Sequence, residues 1–239
     1  MNKFKALFGI DSSQVKDTCI LLPLIPKDLL KKFNITNFSR GKIYSSAENK
    51  FSTVIHTGIG PSLTGDCVLH LKNTGCKNVI ILGSCGLTQK TPDLDVASLV
   101  MPDKCYAFES FSDMLLNDIE GPKMFYPDRE LSEKFLEDNI SSSIKKVTCA
   151  TLASLLLEEG YIDRFSSLGI DVVDMECSAL FSAASKAGLN AMALFYITDI
   201  INVKPFYVPL EGKEKDRLSG SISLSLDLIW KFIQKISSS

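Results

Sequence analysis

Residues 78–86, Asn78-Val79-Ile80-Ile81-Leu82-Gly83-Ser84-Cys85-Gly86, form a short apolar run that ends in two glycines. A run of Val and Ile this short, bounded by turn-forming residues, is typical of a strand buried inside a parallel sheet. Similar runs recur along the chain and alternate with segments of helical period. The alternation predicts an α/β fold, a three-layer α/β/α architecture with a central mixed, largely parallel sheet.

The predicted strands follow the apolar runs, at 19–24, 42–46, 51–57, 78–82, 97–101, 145–149, 171–173 and 190–198. The helical period predicts helices at 61–74, 129–139, 161–167, 176–187 and 213–236. In the last helix, an apolar stripe at spacings of three and four faces the sheet. Residues 103–128 are predicted to form an irregular loop, whose aromatic side chains either line an apolar pocket or pack the loop down.

Length and charge limit the possible function classes. The chain has 239 residues, and 45% of them are hydrophobic, so residues 1–239 are expected to form a single domain. The 26 basic and 28 acidic residues give a formal charge of -2. This balance argues against nucleic acid or a membrane surface as the main partner. Since no signal peptide or membrane-spanning segment is evident, a cytoplasmic location is expected.

The cysteines and histidines argue against a metal site. Seven cysteines are an odd number and never form Cys-x-x-Cys, which is typical of reduced, buried thiols in the cytosol. Only His56 and His70 could add imidazole ligands, so a zinc site would need ligands from distant parts of the chain. We therefore expect no metal, and no cofactor.

The residues that follow the predicted strands are the candidates for ligand binding, because open parallel sheets bind ligands beyond the carboxyl ends of their strands. Two of these segments are rich in glycine and two contain acids. They are 57–61 (Thr-Gly-Ile-Gly-Pro), 83–86 (Gly-Ser-Cys-Gly), 174–176 (Asp-Met-Glu) and 198–199 (Thr-Asp).

Both glycine-rich segments allow a purely structural interpretation. Gly58 and Gly60, with Gly65, weakly resemble a dinucleotide fingerprint, but the spacing to Gly65 is wrong, so a tight strand-to-helix turn is favoured over an oxidoreductase site. Residues 83–86 either form a plain turn or present backbone N–H groups and the Ser84 hydroxyl to an oxygen-rich ligand.

The acids suggest a division of labour. Asp174 could cap the helix that follows it. Asp199 ends a long apolar run, where burial would raise the pKa of its carboxyl and suit it to donate a proton. Glu176, ionised, could accept hydrogen bonds from two sugar hydroxyls. Together Glu176 and Asp199 fit cleavage of a glycosidic bond through a cationic sugar transition state.

These motifs resemble the nucleoside phosphorylase and nucleosidase superfamily, and especially bacterial-type purine nucleoside phosphorylases. The resemblance rests on residues 57–60, 78–86, 173–176 and 198–199, and order and spacing agree over about residues 19 to 235. It implies a nucleoside phosphorylase-like fold assembled as dimers, trimers or hexamers. It also implies a purine nucleoside as substrate and a role in purine salvage.

The resemblance also implies roles for individual residues. Met175 would lie against the ribose, Glu176 would hold its hydroxyls, and Asp199 would protonate N7 of a purine with the help of Arg217. Ser84 and Arg40, an arginine that relatives lend to a neighbouring subunit, would bind phosphate. The further substrate-binding residues are expected to be Ile59, Ser84, Cys85, Gly86 and Thr198.

Departures from the family pattern put phosphorolysis in doubt. Positions where phosphorylases place a glycine and two arginines hold Leu24, Asp28 and Ile81. The glutamate with which hydrolytic relatives activate water is matched only loosely by Asp28. The aspartate that many nucleosidases and phosphorylases carry after the strand near Cys149 falls at Ala153. The sequence thus predicts cleavage of the N-glycosidic bond of purine nucleosides, with ribosyl transfer to phosphate or to water. The alternative is a catalytically weakened relative that binds or stores nucleosides.

Overall fold

The computed structural model describes residues 2–116 and 123–238. Within them the strands are β1 (Thr18–Leu22), β2 (Ser39–Arg40), β3 (Ser45–Glu48), β4 (Thr53–His56), β5 (Asn78–Leu87), β6 (Leu99–Phe108), β7 (Lys123–Phe125), β8 (Lys145–Leu152), β9 (Val172–Asp174) and β10 (Asn190–Ile200). The α-helices are α1 (Lys3–Phe8), α2 (Leu29–Lys32), α3 (Pro61–Leu71), α4 (Ser110–Leu116), α5 (Arg129–Asp138), α6 (Ile162–Leu168), α7 (Cys177–Ala187) and α8 (Gly212–Ile236). Short 3-10 turns occur at Ser12–Gln14 and Glu158–Tyr161.

The strands form one mixed sheet with β5 near its centre. β1 pairs in parallel with both β5 and β4, and β3 and β2 extend this side antiparallel. On the other side β5 pairs in parallel with β10 and antiparallel with β9. The strands β10, β6, β8 and β9 are also paired in that order, so with β5 they close into a ring. The ring brings the carboxyl ends of β5, β9 and β10 together.

The core lies on both faces of the sheet. Along β1, Cys19 and Leu21 belong to one apolar cluster, whereas Ile20 and Leu22 belong to another. The first cluster includes side chains of α3 and α7, and the second includes side chains of α5 and α8. Because successive side chains of a strand point to opposite faces, helices cover both sides of the sheet. The predicted α/β/α arrangement is confirmed.

The predicted strands and helices are all present, with shifted ends. β5 extends beyond its predicted end at residue 82 to Leu87, so residues 83–86 lie within a strand and the predicted turn there is wrong. Pairing with β10 on one side and β9 on the other satisfies the backbone of residues 86 and 87. These sheet contacts hold Gly83 and Gly86 extended, although glycine favours turns.

The prediction of an irregular loop over 103–128 is also wrong for the residues that the structure describes. β6 continues to Phe108 because residues 100–108 pair in parallel with β8. The elements α4 and β7 follow it. Residues 117–122 of this prediction lie outside the described residues. Tyr106 and Phe108 pack against a core cluster beside β8 and α6, and Phe111 and Phe125 pack against the cluster under α3 and α7.

Within residues 2–116 and 123–238, every helix is too short or too polar to cross a membrane.

Candidate active site

A cavity of about 250 Å³ opens where the carboxyl ends of β5, β9 and β10 meet. Its walls combine apolar side chains with carboxyl groups from three separate segments of the chain. It is lined by Pro23, Leu24, Ile59, Gly83, Ser84, Cys85, Gly86, Leu152, Ser154, Leu155, Glu158, Val173, Asp174, Met175, Glu176, Thr198, Asp199 and Phe206. An apolar pocket with a few convergent polar groups is typical of a small-molecule site.

Gly86 makes room for Asp199 in this cavity. The two residues face each other across the β5–β10 pairing, where the register shifts between Ile197 and Asp199. A Cβ atom added at Gly86 would lie 2.9 Å from Oδ2 of Asp199 and 3.4 Å from Cγ2 of Val173. Real Cβ atoms do not approach an oxygen that closely, so only glycine fits here without moving the carboxyl group.

Asp199 itself is buried, with 6% of its surface exposed. Its Oδ1 atom accepts a hydrogen bond of 2.6 Å from the hydroxyl of Thr198. Burial raises the pKa of the Asp199 carboxyl, and the Thr198 hydroxyl lowers it in part. A carboxyl group with a raised pKa holds its proton closer to neutral pH, as a general acid must.

Asp174 organises the start of α7. Its Oδ2 atom accepts hydrogen bonds from the backbone N–H groups of Glu176, at 2.9 Å, and Cys177, at 2.6 Å. Its Oδ1 atom accepts a bond of 2.6 Å from the hydroxyl of Thr151. These contacts satisfy backbone donors at the helix start. The structure therefore supports the predicted capping role of Asp174, and the cap fixes the backbone of Glu176.

Glu176 is buried and joined to the glycine-rich turn after β4. Its Oε1 atom accepts a hydrogen bond of 2.7 Å from the backbone N–H of Gly60. Burial raises the pKa of Glu176 to about 7, although the N–H groups of Gly60 and Met175 favour the ionised form. The side chain is thus partly protonated near neutral pH, whereas the sequence suggested a fully ionised group.

The structure adds one carboxyl group that the sequence did not indicate. Glu158, in the 3-10 turn after β8, lines the cavity and has only 6% of its surface exposed. Burial, together with the charges of Asp199 and Glu159, raises the pKa of Glu158 to about 7. In the sequence, Glu158 directly follows Leu155-Leu156-Leu157. An acid after an apolar run is the same kind of position that identified Asp199 as a candidate.

The cavity brings together most of the predicted site residues. Ile59, Ser84, Cys85, Gly86, Met175, Glu176, Thr198 and Asp199 all line it. The two predicted arginines, Arg217 and Arg40, do not line the cavity. Arg217 lies on α8, where its guanidinium donates a hydrogen bond of 3.0 Å to the carbonyl of Val96, and Arg40 is exposed on β2.

The residues that depart from the family pattern are spread through the structure. Leu24 lines the cavity, whereas Ile81 is buried in the core. Asp28 and Ala153 are exposed. None of the residues that line the cavity is Lys, Arg or His. The cavity wall of a single chain therefore supplies carboxyl and hydroxyl groups but no cation.

Three buried cysteines lie together beneath the site. The sulfur atoms of Cys105, Cys149 and Cys177 are within 4.8 Å of one another, and in the described part of the chain this is the group of side chains that could hold a metal ion. All three belong to the apolar core. Cysteine side chains pack there as small apolar groups, so we interpret the cluster as core packing.

Comparison with known proteins places the chain in a family. The family model of the Phosphorylase superfamily matches residues 22–215. A DeoD-type purine nucleoside phosphorylase from Chromobacterium violaceum is 28% identical over 174 residues, covering 71% of this chain and 68% of that protein. A protein of the same name from Clostridium perfringens is 26% identical over 209 residues, covering 80% of this chain and 85% of its own length.

Solved structures share the fold. A 5'-methylthioadenosine/S-adenosyl homocysteine nucleosidase from Campylobacter jejuni superposes with a TM-score of 0.73 at 15% identity, covering 92% of this chain and 99% of its own. A uridine phosphorylase from Vibrio fischeri superposes with a TM-score of 0.76 at 20% identity, covering 95% and 94%. With the family match over residues 22–215, the chain belongs to the phosphorylase superfamily of nucleoside phosphorylases and nucleosidases.

Proposed function

We propose that this protein is an enzyme that cleaves the N-glycosidic bond of purine nucleosides. The observation that carries the proposal is the presence of two buried carboxyl groups, Glu176 and Asp199, in the wall of one cavity. They come from different strand ends, so one part of a bound ligand can contact Glu176 while another part contacts Asp199. A nucleoside has two such parts, a sugar with adjacent hydroxyl groups and a base with ring nitrogens.

At the sugar, Glu176 accepts hydrogen bonds from the ribose hydroxyls and Met175 packs against the ring. One oxygen of Glu176 already accepts from Gly60, which fixes the orientation of the carboxylate. Hydrogen bonds to an ionised acceptor are the strong kind, and they strengthen as the sugar gains positive charge. Glu176 therefore stabilises the cationic sugar of the transition state more than the neutral sugar of the bound nucleoside.

At the base, Asp199 donates a proton to N7 as the glycosidic bond breaks. The electrons of that bond move to the purine, and protonation neutralises the charge that develops there. The raised pKa of Asp199 supports this role. An assisting role for Arg217 remains a proposal: its guanidinium bonds to Val96, so a contact with Asp199 requires it to move.

The ribosyl acceptor is phosphate or water. Ser84 could bind phosphate, but the cavity wall lacks a cation to pair with a dianion. Phosphate binding would thus need a cation from another chain, such as Arg40 of a second copy. Water is uncharged and needs no such cation, so the lack of cations among the lining residues favours water as the ribosyl acceptor.

We further propose that the protein works as a homo-oligomer in the cytoplasm. Large apolar side chains are exposed around the cavity mouth, including Leu24, Ile59, Leu155 and Phe206. Apolar groups concentrated around a cavity mouth are typical of a surface that a second subunit covers. The cysteines are free and buried, which fits a reducing compartment.

The choice of a purine rests on the curated relatives and on Asp199. The relatives from Chromobacterium violaceum and Clostridium perfringens carry the name purine nucleoside phosphorylase. An acid at the base favours a purine because N7 can accept its proton. The uridine phosphorylase fold neighbour makes a pyrimidine nucleoside the competing substrate to test.

A second candidate is a nucleoside-binding protein with little or no turnover. It is favoured by the exposed position of Asp28 and by the lack of Lys, Arg and His among the residues that line the cavity, which leave phosphate without a cation there and leave Asp28 outside the cavity wall. Such a protein would keep the contacts of Glu176 and Asp199 with its ligand. It would bind nucleosides without releasing base.

The test is to incubate the purified protein with adenosine, inosine, guanosine, methylthioadenosine and uridine, with and without phosphate, and to quantify free base. Release of a purine base supports the proposal, and a dependence on phosphate identifies the acceptor. Release of uracil alone would contradict the purine assignment. Binding of nucleosides without any base release would favour the binding protein.

A further inference from the structure

Glu158 and Asp199 form a pair of carboxyl groups in the cavity. Both line it, and each has 6% of its surface exposed. Asp199 comes from the end of β10 and Glu158 from the turn after β8. The tertiary fold, and not a local backbone motif, therefore places both in one cavity wall. The proposed mechanism uses Asp199 but leaves Glu158 without a task.

Nothing else in the described structure explains why Glu158 is buried. Its carboxylate has no hydrogen-bond donor and no ion-pair partner among residues 2–116 and 123–238. The titratable groups that act on it are Asp199 across the cavity and Glu159 beside it on the same turn. The Glu158 oxygens are accessible from the cavity, so they can accept hydrogen bonds from a ligand there.

The proposed mechanism requires Asp199 to carry a proton, and burial raises the pKa of its carboxyl. The pKa of Glu158 is raised to about 7, so at pH 8 its carboxyl is mostly ionised. At that pH the pair offers a ligand one hydrogen-bond donor, on Asp199, and one acceptor, on Glu158. Thr198 donates to Asp199, which fixes the Asp199 side of the pair.

This pattern matches one kind of purine. Adenine presents N7 as an acceptor and its 6-amino group as a donor on the same edge, whereas a 6-oxopurine presents two acceptors there. A pair with one proton satisfies both groups of the adenine edge. It leaves a 6-oxopurine with one acceptor opposite a carboxylate, which is repulsive.

We propose that Glu158 is a specificity-determining residue which, with Asp199, selects 6-aminopurine nucleosides over 6-oxopurine nucleosides. The proposal rests on the proposed function, since it takes the base to lie at Asp199. It adds a recognition role for Glu158, which contacts the 6-substituent. A second proton on the pair would remove the discrimination, since both carboxyl groups could then donate.

The experiment compares adenine with hypoxanthine as free bases, by calorimetric binding, and adenosine with inosine as substrates, at pH 8 and pH 5.5. We expect the wild-type protein to bind adenine roughly tenfold more tightly than hypoxanthine at pH 8. We expect this ratio to fall towards one at pH 5.5, because acid adds the second proton to the pair.

Glu158→Gln tests the residue directly, because the amide can donate to a 6-oxo group at any pH. We expect this variant to lose the preference for adenine at pH 8 and to show no change in ratio with pH. Glu137→Gln is the matched control: it makes the same change at an exposed position on α5 that does not line the cavity. It should keep the wild-type ratio within about twofold.

The outcomes separate this proposal from the proposed function. A preference for adenine that disappears in Glu158→Gln, without any base release from nucleosides, would support Glu158 and contradict the catalytic function. Base release from adenosine and inosine at equal efficiency, unchanged by pH and by Glu158→Gln, would overturn the role of Glu158 and leave the function standing. No binding of either base, together with no base release from any nucleoside, would contradict both.

Discussion

Gly60 and Glu176 are 116 positions apart in the chain, and a hydrogen bond of 2.7 Å joins the backbone N–H of Gly60 to the carboxylate of Glu176. The bond connects the turn after β4 to the start of α7 across the cavity. It exists because Gly60 adopts φ of 123°, a backbone conformation open to glycine and strained for other residues. The carboxylate proposed to hold the sugar is therefore positioned by the backbone of a glycine turn.

Gly60→Ala is expected to weaken nucleoside binding and to destabilise the protein by about 1 to 3 kcal/mol, because alanine is strained at this φ. No atom lies within 4 Å of a Cβ added there, so the effect would come from backbone strain alone. The measurements are KM for adenosine and urea denaturation. Gly220→Ala is the control, since Gly220 also has open space but lies inside α8, where alanine should stabilise the protein. Equal effects of the two changes would contradict the role of the Gly60 conformation.

Glu176→Gln should lower kcat/KM roughly 10- to 100-fold, since the amide replaces an ionised acceptor of sugar hydroxyls. In the wild-type protein the carboxylate forms as pH rises through about 7, so KM for adenosine should fall over that range. The variant should lose this pH dependence, and a KM profile from pH 5.5 to 8.5 measures it. Glu137→Gln, an exposed change on α5, should behave as wild type. A variant that keeps the wild-type profile would rule out Glu176 as its source.

Gly86→Ala should reduce turnover at least tenfold, because the added Cβ would lie 2.9 Å from Oδ2 of Asp199 and displace the carboxyl group. Overpacking there should cost about 1 to 3 kcal/mol of stability. Gly160→Ala is the control, since a Cβ at Gly160 meets no atom within 4 Å. Activity and urea denaturation are both needed. Full activity in a folded Gly86→Ala variant would show that the position of Asp199 does not depend on this glycine.

Glu158→Gln should stabilise the protein above pH 7. The folded-state pKa of Glu158 is raised from 4.5 to about 7, so the folded protein binds more protons than the unfolded chain between these values. Its contribution to the free energy of unfolding is therefore fully present below about pH 4.5 and is lost as pH rises through about 7. At pH 8 the variant should be more stable than wild type by about 1 to 3 kcal/mol. Denaturation at pH 5 and pH 8 measures the difference, and a gain that is larger at pH 5 would contradict the assignment.

Much of the fold could be predicted from the sequence, because strands buried on both faces are continuous apolar runs. The run at residues 78–82 and the run that ends at Asp199 are of this kind, and both became central strands. The short strands β2 (Ser39–Arg40) and β7 (Lys123–Phe125) have no such run. Their pairing depends on partners brought near by the rest of the fold, which no local pattern records.

Site residues could be predicted where an acidic side chain stands at the end of a predicted strand. Glu176 follows β9 and Asp199 lies near the end of β10, and both line the cavity. Gly86 was interpreted as part of a turn because glycine punctuates most strands, whereas here it serves a close approach to Asp199. Glu158 was missed although it follows three leucines, because those leucines are exposed and the burial of Glu158 arises from contacts between separate segments. The assignment of residues 1–239 to one domain and the roles of Arg40 and Arg217 stay predictions.

The measurement that tests the central claim most directly is base release from adenosine by the wild-type protein and by Asp199→Asn, with Asp93→Asn, an exposed change, as control. We predict that the wild-type protein and the control release adenine. We predict that Asp199→Asn is at least 100-fold slower while it still binds adenosine, because the amide cannot donate a proton to the departing base. Near-wild-type release by Asp199→Asn would contradict the account.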